Sequence, residues 1–123
     1  VLTSRGLGDV YKRQALMTVT SINLGDNGTT ITAAGDMGEY GKGYTTYNLT
    51  RGADGASAKV IGQGRSVSDN EVATGDFVGH GYREGAVLTV RNTVQINDGS
   101  QNLDIITFDA AHNEHLLRAY ILK

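Results

Sequence analysis

The chain has no cysteine, no proline and no tryptophan in its 123 residues. Without cysteine there is no disulfide, no thiolate nucleophile and no cysteine-ligated metal. Without proline no turn has a locked φ, so loop shape rests on glycine and on Asn and Asp side chains. No apolar run approaches the roughly 18 residues of a membrane-spanning helix, and no membrane partner is expected. Like charges form no block. Eleven basic residues stand against 13 acidic ones, a formal net charge of −2. No basic stripe for phosphate neutralisation is visible along the chain, so no nucleic-acid partner is expected either.

The first 14 residues differ in character from the rest. They carry Arg5, Lys12 and Arg13 against Asp9, and Gly6 and Gly8 break any periodicity. A secretory signal has its charges ahead of an apolar run, and here they follow the few apolar residues. The stretch SRGLGDVYKRQ, Ser4 to Gln14, resembles residue for residue the translation of a transposase-type sequencing adapter. That resemblance implies an uncultured environmental (metagenomic) source and a non-native segment over 1–14. The encoded domain is then expected to span 15–123, with Met17 a candidate start. Removing three basic residues and one acidic residue leaves 8 against 12, a net charge of −4.

Beyond residue 14, short stretches rich in Val, Ile, Thr and Tyr alternate with clusters of Gly, Asp, Asn and Ser, the punctuation of an all-β domain. Strands are expected over 18–24, 29–34, 44–50, 57–62, 86–96 and 103–109. Asn27 and Gly28, and Asp98 and Gly99, are candidates for turn positions with positive φ. The tail FDAAHNEHLLRAYILK fits a helix capped by Asp109 or a strand with Leu117, Ala119 and Ile121 inward. The strand, returning from a loop at 112–114, is the preferred reading. The expected architecture is a small antiparallel β-sandwich or jelly-roll-like domain.

Glycine is abundant, yet GQGRSV and GHGYREG lack the spacing of a dinucleotide fingerprint and the Lys-Ser or Lys-Thr of a phosphate loop. His112 and His115 in HNEH stand three apart, where helical zinc ligation needs four, and solvated loop histidines are the expectation. The acidic turns GDNGT, RGADGAS and INDGSQNLD lack the calcium-hand pattern and read as Asx turns. No serine sits in a G-x-S-x-G elbow, and no carboxylate pair stands out. No catalytic residue, metal ligand or cofactor is therefore expected.

Two glycine-rich stretches, GDMGEYGKGYTTY and TGDFVGHGYREG, are read as long loops. Loops of that length in a small domain are ordinarily used for binding. Tyr40, His80, Tyr82 and Arg83 are the expected contact residues, since tyrosine and arginine dominate interface hot spots. Tyr44 and Tyr47 either join them or serve a strand, one packed and one exposed. The expected function is a non-catalytic binding or assembly module. A virion or extracellular appendage protein that forms a homo-oligomer comes first, a carbohydrate-binding module with a glycan partner second, and a small β-barrel enzyme third.

Overall fold

The computed structural model describes residues 11–123. Eight strands follow one another: β1 (Tyr11–Leu24), β2 (Thr29–Asp36), β3 (Lys42–Arg51), β4 (Ser57–Ser68), β5 (Glu71–Glu84), β6 (Val87–Ile96), β7 (Gln101–Asp109) and β8 (Glu114–Ile121). A single 3₁₀ turn, Gly38–Tyr40, lies between β2 and β3. Each strand pairs antiparallel with the next, and β8 pairs back to β1, which closes the sheet into a barrel. The all-β expectation holds. The sandwich or jelly roll is corrected: one sheet closes on itself, so its inward side chains meet one another rather than a second sheet.

The closing pair runs from Tyr11 opposite Tyr120 to Thr18 opposite Glu114. Residues 11–14 therefore continue β1 in backbone terms, whereas Ser4 to Val10 of the adapter-like stretch lie outside the described residues. The tail is a strand with Leu117 and Ala119 buried, as preferred. Gly99 has a φ of 92°, but Gly28 does not turn left-handed; the left-handed turn residues between strands are Gly38, Gly41, Gly55, Gly85, Gly99 and Asn113.

The largest correction concerns TGDFVGHGYREG, read as a loop and found, up to Glu84, within β5, which pairs with β4 and β6. Its glycines mislead because they recur with period two. Gly75, Gly79 and Gly81, with Gly62 and Gly64 of the neighbouring strand, share the inward parity of Phe77 and Val60. At Gly62 and Gly79 a β-carbon would collide with a neighbouring strand's carbonyl oxygen, that of Thr46 or of Arg91. The sheet can curve that tightly only where no side chain intervenes.

Inward residues from all strands form the core: Ala15, Ile31, Tyr47, Leu49, Val60, Phe77, Val90, Val94, Ile106, Phe108 and Leu117 are packed together. The outer face mixes threonine, glutamine and charge. Lys59, Asp76, Arg91 and Arg118 stand exposed in mid-strand, where a lipid-embedded barrel presents an apolar band.

Candidate binding cavity

The two ends of the barrel differ. Toward the turns after β1, β3, β5 and β7, Leu49, Val60, Val90, Ile106 and Phe108 fill the interior. Toward the opposite end lies a cavity of about 320 Å³. Its apolar walls come from Phe77, Val94, Leu117, Ala119 and Ile121, and Thr45, Asn102 and Asp104 add polar groups. Glycine makes the room. A β-carbon at Gly64 would come 2.7 Å from Phe77 Cζ, and one at Gly75 would come 3.2 Å from Val94 Cγ1.

Tyr47 stands between the packed and hollow halves. It lines the cavity, yet its ring lies edge-on to Phe108 at 5.2 Å and stacks on Phe77 at 5.5 Å. Its hydroxyl meets His115 Nε2 at 2.9 Å. Burial pushes the imidazole of His115 down to about 4 and holds the Tyr47 phenol well above its ordinary range. Both groups are neutral at pH 7, so Tyr47 serves as a hydrogen-bonding group and not as a phenolate nucleophile. Asn102 and Asp104, each 8% exposed, supply an amide and a carboxyl group beside Tyr47 in a largely apolar enclosure.

The 3₁₀ turn closes part of the mouth. Its first residue, Gly38, and the residue after it, Gly41, have φ of 65° and 83°, which L side chains avoid. This geometry places Met37 over Gly43 and brings Tyr40 to the cavity lining. Asp98, Ser100, Arg65 and Lys123 form the rim. Arg65 is held by its own strand, donating from Nη1 to the Gly64 carbonyl at 2.8 Å.

The four expected contact residues are not brought together. Only Tyr40 lines the cavity. His80 and Tyr82 are exposed on the outer face of β5, and Arg83 lies near the packed end, donating to the Gly85 carbonyl at 3.0 Å. Of the tyrosine pair, Tyr47 is packed and Tyr44 exposed. The histidines also separate. His112 is exposed and its Nδ1 lies 2.9 Å from Asp109 Oδ2, whereas His115 is 0% exposed, which corrects the reading of two solvated loop residues. Strand alternation is the reason: His115 falls on the inward parity of Leu117 and Ala119. Among the described residues, no three His, Asp or Glu side chains are grouped to hold a metal ion.

No protein-family model, curated protein or solved structure matches the chain. The cavity is thus read from its own chemistry. Phe77, Asn102 and Asp104 were absent from the residues expected to bind, and Tyr47 was expected either to join them or to serve a strand. A partial signal for Asn102 and Asp104 was present in NLDIITF, where they share the parity of Ile106 and Phe108, although Leu103 and Ile105 make the other parity apolar as well.

Two of the three acidic turns, those at Asp54 and Asp98, have Asx geometry. Asp54 Oδ1 accepts from the Ala56 and Ser57 backbone amides and the Ser57 hydroxyl at 2.7–3.0 Å. Asp98 Oδ1 accepts from Ser100 N and Oγ at 2.9 and 2.6 Å. These bonds hold both carboxyls below their ordinary range.

Proposed function

We propose that this protein is a non-catalytic binding barrel that takes one small, largely apolar molecule carrying a hydrogen-bonding group into the open half of its interior. The observation that carries this reading is the cavity of about 320 Å³, apolar-walled, with Tyr47, Asn102 and Asp104 gathered in it. Its volume is on the order of ten water molecules and falls at the small end of the range for ligand pockets. An eight-stranded barrel is just wide enough either to be filled by its own side chains or to hold one small ligand. This chain does both, one at each end. A few hydrogen-bonding groups in such an apolar-walled enclosure give a ligand its orientation and specificity.

Assembly into a virion or appendage is the less supported reading. Barrel closure leaves no free strand edge for a neighbouring subunit to extend, so contacts between copies would have to use side-chain faces.

The test is thermal melting with phenol, indole and cyclohexanol as probes, on the protein and on Ala73→Phe, whose new ring projects into the cavity near its mouth. At a concentration of 100 times Kd, a bound probe stabilises by about 2.7 kcal/mol. At least one probe should raise the midpoint of the protein and leave that of Ala73→Phe unmoved. No shift with any probe, or equal shifts in both proteins, removes the cavity as a binding site.

A further inference from the structure

A second surface lies outside the barrel and owes nothing to the cavity. The pairing of the strands aligns Lys59 of β4 with His80 of β5, His80 with Arg91 of β6, Arg91 with Ile105 of β7, and Ile105 with Arg118 of β8. All four polar members are exposed. Among the described residues, no side chain of these four takes part in a hydrogen bond or an ion pair. On the same face of β5 the nearest acids are Asp76 and Glu84, each four residues from His80; β4 and β6 carry none. A chain of net charge −2 thus carries Lys59, Arg91 and Arg118, with no side-chain partners, in one register row that runs from β4 to β8 around the closed barrel.

We propose that this row binds a linear anionic polysaccharide, one bearing carboxylate or sulfate groups. The spacing favours it: Lys59 and Arg91 stand two strands apart at an inter-strand distance of about 4.8 Å, a span comparable to the length of two sugar units, with the exposed ring of His80 between them. Duplex nucleic acid presents a charge about every 1.7 Å and rewards proteins that neutralise many phosphates, which a three-cation row on an acidic protein does not do. The flanks suit sugars as well. On one side of the row stand Ser57, Tyr82 and Thr89, and on the other Ile61, Val78 and Thr93. Tyr82, 51% exposed, and Val78, 59% exposed, offer apolar surface for the C–H faces of sugar rings, and the Tyr82 and Thr89 hydroxyls offer hydrogen bonds. A Lys and an Arg supply charge-assisted bonds to the anions.

The experiment is isothermal titration at low ionic strength with three probes: a heparin oligosaccharide, an oligogalacturonate and an oligothymidylate. The proteins are the unmodified chain, the double variant Lys59→Gln/Arg91→Gln, the single variant Arg118→Gln, and Arg51→Gln as a cation outside the row. These side chains are exposed, so far-ultraviolet circular dichroism should be unchanged. Should the double variant fail to fold, Arg118→Gln alone still reports a weakening. The expected result is salt-sensitive binding of at least one glycan, weakened about tenfold in the double variant, less in Arg118→Gln, and unchanged in Arg51→Gln. Binding of heparin alone identifies sulfate as the anion, and binding of oligogalacturonate alone identifies carboxylate. The proposal is overturned by no glycan binding, by equal binding in the double variant, or by tighter binding of oligothymidylate than of either glycan.

Discussion

The two halves of the barrel interior are built on the same strands and differ only in what points inward. At the packed end Leu49, Val60, Val90, Ile106 and Phe108 are all buried. At the hollow end glycine and alanine take inward positions, Gly64, Ala73, Gly75 and Ala119, and a cavity is left. Backbone geometry sets the circumference, and side-chain volume then decides whether a stretch of barrel is core or container. The packed half is expected to carry the stability and the hollow half to be free for binding.

Truncation tests that division with the largest effect. Phe108 is buried among Tyr47, His115 and the aliphatic core, so Phe108→Ala should cost about 3–5 kcal/mol. Ile121 lines the cavity and is only half-buried, so Ile121→Ala, which widens an existing space, should cost about 1 kcal/mol or less. Urea unfolding of both variants decides it. Equal losses would mean that the hollow end contributes to stability as the packed end does.

The histidines sharpen the same contrast through pH. His115 is buried against Tyr47 and Phe108, and burial pushes its pKa down to about 4. In the unfolded chain the ring takes up a proton near pH 6.5, so between those values the unfolded state binds more protons. Stability is therefore full above about pH 6.5, falls as the pH drops toward 4, and loses about 3 kcal/mol over that window. Exposed His112 has the opposite sign, because Asp109 raises its pKa; what it contributes is present below its unfolded pKa and disappears as the pH rises through the folded value. Denaturation at pH 7, 5 and 4 should show the loss, and His115→Gln should flatten it. A flat profile in the unmodified protein would mean that His115 is hydrated when folded.

The β class was legible because strand composition and turn residues agree over most of the chain, from TVTSINL to LTVRNTVQI. Closure was not, since it depends on β1 pairing with β8, contacts about a hundred residues apart that no local pattern specifies. The glycines of β5 were misread because glycine is the strongest local turn signal. Its second meaning, a wall position where backbone or an aromatic ring comes close, shows only as the period-two spacing of Gly79 and Gly81. The basic row has no trace along the chain at all. Its members lie in four separate strands, and register alone assembles them. The site was partly legible: Tyr40 reaches the cavity, but Asp104 and Asn102 needed the inward parity of β7 to be recognised.

The smallest expected effect compares two glycines of adjacent strands. At Gly79 a β-carbon would collide with the Arg91 carbonyl oxygen and the Asn92 side chain. The first belongs to a paired strand and cannot withdraw without disturbing the β5–β6 ladder, so Gly79→Ala should cost about 1–3 kcal/mol. At Gly64 the nearest atom is Phe77 Cζ at 2.7 Å, the far end of a ring that borders empty space. The ring can tilt into the cavity, and the cost of Gly64→Ala should stay under about 1 kcal/mol. That tilt also removes ligand volume, so Gly64→Ala should reduce the midpoint shift given by a cavity-bound probe while Gly79→Ala, where it folds, preserves it. Thermal melting of both variants with and without the probe that stabilises the unmodified protein measures both effects. If Gly64→Ala proves as costly as Gly79→Ala, Phe77 is locked in place, and the hollow half is more rigidly built than its empty volume suggests.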